Sequence, residues 1–229
     1  MSETRNSLKN AAEKNRLTEL VMILDRSGSM AGLESDTIGG FNGMIRSQKK
    51  EDGEVLVTTV LFDSELKRLH DRVPISSIPE MTEKDYRVGG CTALLDAIGE
   101  TVDHISSIHR YIRPEDVPAK TLFVITTDGM ENASRSYSAD QIKKTVERKQ
   151  KEGWEFLFLG ANMDAITTAR SFGIREDHAA TYMCDSAGTM MNFEAVGKAM
   201  SQVRHGKAVS KEWKKEIEQR EAESGSKKR

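Results

Sequence analysis

The sequence predicts a doubly wound α/β domain, with a mostly parallel sheet, one antiparallel edge strand and helices on both faces. Short apolar runs such as Leu20-Val21-Met22-Ile23-Leu24 lack alternation, as strands covered on both faces require. Helical patterns separate successive runs, giving the strand and helix order of a parallel sheet. Two of the runs end at Asp25 and close to Asp128, each followed by small residues. In open α/β sheets this carboxyl edge splays into a ligand crevice.

Residues 1–17 are mostly polar and read as a leader or short helix lying against the domain. Glu19 to Leu24 is the first strand, after which Ser35 or Asp36 can cap a helix running to about Lys50. Asp52-Gly53 breaks that helix, and Glu54 to Phe62, rich in Val, Leu and Thr, is the second strand. Past an Asp63-Ser64 turn, Glu65 to Val73 is polar enough for an antiparallel edge strand whose charges discourage pairing with other chains. Pro74 and Pro79 mark the following connection.

From Ala93 to about Ile112, apolar residues recur at Leu94, Leu95, Ile98, Val102, Ile105, Ile108 and Ile112, a helical stripe closed by Pro114 and Pro118. Thr121 to Thr126 is a buried strand, Ala139 to Glu152 a charged helix ended by Gly153, and Trp154 to Leu159 the next strand. Asn162 to Phe172 and Ala187 to Val203 read as helices on either side of a short strand at Ala179 to Met183, with Asn162 as an N-cap. The predicted organisation is a leader at 1–17, one domain at 18–208, and a charged helix and tail at 209–229 whose last residues are expected to be disordered.

A length of 229 residues suits one domain. The net charge of −2 and 6% aromatics give neither a basic track nor a stacking platform, which argues against nucleic acid. The longest apolar runs are far too short to cross a bilayer, and the N-terminus lacks a signal-peptide core. Cys91 and Cys184 are too few for a disulfide framework, and a cytoplasmic location is expected.

Three segments carry the chemistry: Asp25-Arg26-Ser27-Gly28-Ser29, Gly89-Gly90-Cys91-Thr92 and Thr126-Thr127-Asp128-Gly129. Brought to one mouth of the sheet, they offer three hydroxyls and two carboxylates. Oxygen-only ligation suits Mg2+, with Mn2+ or Ca2+ as substitutes, far better than zinc or copper. Ser27, Ser29 and Thr92 are the direct-ligand candidates, with Asp25 and Asp128 binding directly or through water. Helix N-termini at the same crevice would add N–H groups favouring an anionic ligand. Because Mg2+ requires near-octahedral geometry, one position is left for water or a partner's carboxylate.

On these segments the chain resembles the von Willebrand factor A domain, over roughly residues 18 to 205. The metal-ion-dependent adhesion site of that family has an Asp-x-Ser-x-Ser motif, matched by Asp25, Ser27 and Ser29, a second-loop Thr matched by Thr92, and a third-loop Asp matched by Asp128. The resemblance implies a Rossmann-like sheet and a noncatalytic, Mg2+-dependent module that captures a protein presenting Asp or Glu, within an intracellular complex that can include an ATPase. It is nearest to short stand-alone bacterial or phage versions. Cys91 departs from the usual pattern, where a small or hydroxyl residue is more common.

Plainer readings stand beside these. Asp63 reads as a turn residue, and Cys91 as a small packing residue with no base beside it to make it a nucleophile. The five histidines show neither zinc spacing nor a paired acid, so surface or packing roles are expected. Met190, Met191 and Met200 read as core or interface fillers, and residues 211–229 as a solvated helix. Rival functions are a phosphoryl-transfer or hydrolytic enzyme using Asp25, or an RNA-associated scaffold. Against the enzyme, Ser27 stands where a second aspartate would be expected.

Overall fold

In the computed structural model, residues 17–161 and 164–227 are described. Residues 1–16 of the expected leader, the expected cap Asn162 and the last two positions lie outside them. The chain runs β1 (Thr18–Asp25), α1 (Glu34–Gln48), β2 (Val55–Phe62), β3 (Leu66–Pro74), α2 (Leu94–Tyr111), β4 (Lys120–Thr127), α3 (Ala139–Lys151), β5 (Glu155–Ala161), α4 (Ala165–Ser171), β6 (Ala179–Tyr182), α5 (Ser186–Arg204) and α6 (Lys215–Lys227). The sheet order is β3-β2-β1-β4-β5-β6, parallel except where β3 runs antiparallel to β2. The expected edge strand is therefore present.

β1 sits centrally and is buried along its whole length. Its alternate side chains feed two cores. Leu20, Met22 and Leu24 pack with Phe41 and Met44 of α1 and Phe193 and Val196 of α5, while Val21 and Ile23 pack with Leu94 and Ile98 of α2 and Val146 of α3. Coverage on both faces explains why the run has no polar alternation. Strand order reverses between β1 and β4, so the loops following them part over one crevice.

Several local expectations are corrected. The N-cap of α1 is Leu33 rather than Ser35 or Asp36, and Glu34 reaches back to the Gly32 N–H at 2.7 Å. Burial of Met30 and Leu33 draws the helix start earlier, into the apolar layer. The N-cap of α4 is Asp164, which accepts from Thr167 N.

The C-terminal segment is not a solvated appendage. Val209, Trp213 and Ile217 belong to the core, and the buried Lys214 Nζ donates to the carbonyls of Glu176 (2.9 Å) and Ala179 (2.8 Å). One apolar residue per turn suffices to seat this helix against β6, and that signal is weak beneath so many charges. Met200 lies in the core, whereas Met190 is exposed.

The histidines also acquire acids that the sequence did not pair with them. His178, buried between β5 and β6, lies 2.8 Å from Glu155 and 2.7 Å from Asp177. His109 lies 2.5 Å from Glu19, and His104 2.9 Å from Asp71. These acids are 23 to 90 residues away in sequence for all but Asp177, so spacing along the chain does not reveal them.

Candidate metal centre

The three oxygen-rich loops converge at the carboxyl ends of β1 and β4, whose Leu24 and Thr126 are register partners. Side chains and backbone tie the loops pairwise. Between the first and second, Gly28 N donates to Gly90 O (3.1 Å) and Gly89 N to Arg26 O (2.9 Å). Between the second and third, Thr92 N donates to Asn132 Oδ1 (2.9 Å) and Asn132 N to Thr92 O (3.1 Å). Between the first and third, Ser29 Oγ donates to Asp128 Oδ1 and Thr127 Oγ1 to Asp25 Oδ2, both at 2.5 Å.

Asp25 is almost wholly buried. Its Oδ1 accepts Ser27 N at 2.7 Å, and its carbonyl accepts the Tyr86 hydroxyl. Burial pushes its carboxyl pKa upward and the nearby Asp128 charge adds to this, while hydrogen bonds from Thr127 and Ser27 act in the opposite direction. Ser27 Oγ and Ser29 Oγ are 3.1 Å apart. A Cβ added at Gly129 would stand 2.9 Å from Thr92 Oγ1 and 3.3 Å from Ser29 Oγ, so the missing side chain leaves room for both hydroxyls. Gly90, at φ +75°, makes the turn before Thr92, a conformation that costs glycine little.

All five predicted residues, Asp25, Ser27, Ser29, Thr92 and Asp128, therefore contribute to one crevice. The donor set fits a hard divalent cation: among the described residues, neither Asp25 nor Asp128 has a cationic side chain as an ion-pair partner, although both are at most 4% exposed. Arg26, the nearest arginine in sequence, is directed to Asp63 at 3.1 Å. Among the described residues no group of three His, Cys, Asp or Glu side chains is placed to hold a metal ion by itself, so the hydroxyls are essential to the donor set.

The expected contribution from the α2 N-terminus is not found. Leu95 N donates to Glu131 and Asp96 N to Ser134 Oγ, so these helix-end donors are already used by the third loop. Asp63 is a turn residue as expected, its carboxylate accepting Glu65 N at 2.8 Å. Cys91 is exposed, and does not fill the packing role expected of it; its backbone N–H is held by Ser64 Oγ.

Sequence reasoning passed over Thr127, Asn132, Tyr86 and Cys184 as contributors to this site. Thr127 lay within the quoted motif and was legible there. Tyr86 and Asn132 each lie three residues outside a quoted segment, and Cys184 comes from the distant turn after β6, so none of them stood within a motif.

The sequence matches no family model and no curated protein. Solved structures are similar in fold. The vWF domain of the type V pili tip protein Mfa5 from Porphyromonas gingivalis superposes with a TM-score of 0.59 at 10% identity, covering 82% of this chain and 96% of that one. Proximal thread matrix protein 1 from the mussel byssus gives 0.56 at 16% identity over 81% of this chain. The match spans only 46% of the byssus protein, another structure of which has a zinc-occupied MIDAS motif. The ArnB paralog VWA2 from Sulfolobus acidocaldarius gives 0.52 at 14% identity, over 81% of this chain and 45% of that one. The chain has the von Willebrand factor A fold.

Proposed function

We propose that this protein is a noncatalytic binding module that holds Mg2+ at Ser27, Ser29, Thr92, Asp25 and Asp128 and uses it to capture an Asp or Glu of a protein partner. One observation carries the reading: two buried carboxylates share a crevice with three hydroxyls, and among the described residues no cationic side chain pairs with either carboxylate. Mn2+ or Ca2+ would satisfy the same oxygen donors. Bound there, the cation would supply an electrophilic position for an incoming carboxylate, since the hydroxyls do not cancel its charge and carboxylates acting through water cancel it only partly.

The residues of the chain provide the rest. Ser27 N and Thr127 orient Asp25, Ser29 orients Asp128, and Asn132 fixes the backbone of Thr92. Such preorganisation lowers the ordering cost of binding. The arrangement disfavours Asp25 as a nucleophile, because both its oxygens accept hydrogen bonds and it is buried.

We place the protein in the cytoplasm, in a reducing compartment, because two cysteines are too few for a disulfide framework. Among the described residues no helix is long and apolar enough to cross a membrane. An ATPase remains the proposed class of companion, by fold analogy alone.

The reading is tested by immobilising the full chain and measuring protein retention in Mg2+. Retention should be reversed by EDTA and lost in Ser27→Ala, and the retained partner should fail to bind once its contacting acid is changed to the amide. Retention indifferent to EDTA and to Ser27→Ala would contradict it.

A further inference from the structure

Cys184 lies just past β6, in the turn leading to α5, and its Sγ is 3.7 Å from Asp128 Oδ2, within reach of S–H donation. The other oxygen of the same carboxylate accepts Ser29 Oγ. Asp128 is 4% exposed, so its orientation is set by these protein groups rather than by bulk water. We propose that Cys184 is a positioning residue for the metal centre: its thiol steadies Asp128 through the oxygen that Ser29 leaves free, and metal affinity depends on that contact. The inference rests on the metal-binding reading above.

The turn that presents Cys184 is itself fixed. Asp185 caps α5 by accepting Gly188 N at 2.7 Å, and both terminal nitrogens of Arg220 in α6 lie 2.9 Å from its carboxylate. A carboxylate held through one oxygen can still turn about its broad terminal torsion. A second donor on the other oxygen restricts that turning before the metal arrives. Because S–H is a weak donor, the contact should tune affinity rather than create it.

The test measures Mg2+ affinity from the dependence of the unfolding midpoint on Mg2+ concentration, in wild type, Cys184→Ala, Cys184→Ser and Ser27→Ala. Cys184→Ala should weaken Mg2+ binding about five- to tenfold. Cys184→Ser, which keeps a hydroxyl donor, should restore part of that loss. A merely structural cysteine would instead lower the metal-free midpoint and leave the Mg2+ dependence unchanged, and that result would overturn the inference. So would a Cys184→Ala variant that binds as wild type does while Ser27→Ala fails to bind. A wild type with no Mg2+ dependence at all would overturn the metal reading itself, and the inference with it.

Discussion

β1 carries a buried acid at each end, and the two ends treat that acid differently. At the amino end, Glu19 is completely buried and meets two basic groups of the protein, Arg72 Nε at 2.7 Å and His109 Nε2 at 2.5 Å. At the carboxyl end, Asp25 meets hydroxyls and a backbone N–H, with a second carboxylate close by. A buried charge is costly unless paired. The Glu19 end is paired within the chain, whereas at the Asp25 end no cationic side chain among the described residues pairs with either carboxylate, and the proposed cation would come from outside the chain.

The backbone shows how the Glu19 end is completed. Arg72 stands at φ 51°, where β3 slips register against β2, and its N–H is held by Thr58 Oγ1 at 3.1 Å. A non-glycine residue in that region costs about 1 kcal/mol. Here the bulge re-aims a side chain from the edge strand toward the central one.

The largest expected effect breaks the paired end. Arg72→Ala should lower metal-free stability by up to about 3–5 kcal/mol in urea unfolding, by leaving the buried Glu19 carboxylate with His109 as its remaining basic partner among the described residues. The stabilisation conferred by Mg2+ should be untouched. Asp25→Asn should show the converse: metal-free stability kept or raised, because the buried charge is removed, and the Mg2+ increment lost. That increment is about 2.7 kcal/mol at a hundredfold excess over the dissociation constant.

A smaller effect should follow from Gly129→Ala, whose new methyl would press on Thr92 Oγ1. It should weaken Mg2+ binding by tenfold or so, about 1.4 kcal/mol, in the same titration.

The smallest effect concerns acid stability away from both ends of β1. The hydrogen bond from His178 holds the Glu155 carboxyl below its ordinary value. A depressed carboxyl stabilises the fold above its unfolded pKa, and that contribution is lost as pH falls through the folded value. Metal-free protein should therefore lose stability on acidification below the ordinary glutamate range, and Glu155→Gln should flatten that loss in unfolding measured across pH.

The contrast between the two ends also explains what the sequence could reveal. The Asp25 end is built from contiguous loop motifs at strand termini, so Asp25, Ser27, Ser29, Thr92 and Asp128 were legible from residue type and placement. The Glu19 end is assembled from β1, a bulge in β3 and the last turn of α2, and no local pattern links Glu19 to Arg72 or His109. The strands and their alternation with helices followed from apolar runs and helical spacing, whereas their order across the sheet comes from the structure. Trp213 and Ile217 were hidden because a narrow apolar stripe among many charges looks like a solvated helix.

A metal site is proposed at the carboxyl end of β1, where Asp25 and Asp128 have no cationic partner among the described residues. Its most direct test is thermal unfolding of the full chain across a Mg2+ titration, with EDTA controls, beside Ser27→Ala and Asp128→Ala. The wild-type midpoint should rise with Mg2+, fall back in EDTA, and show no such rise in either variant. A wild-type midpoint indifferent to Mg2+ up to high concentration, or a rise preserved in both variants, would contradict the claim.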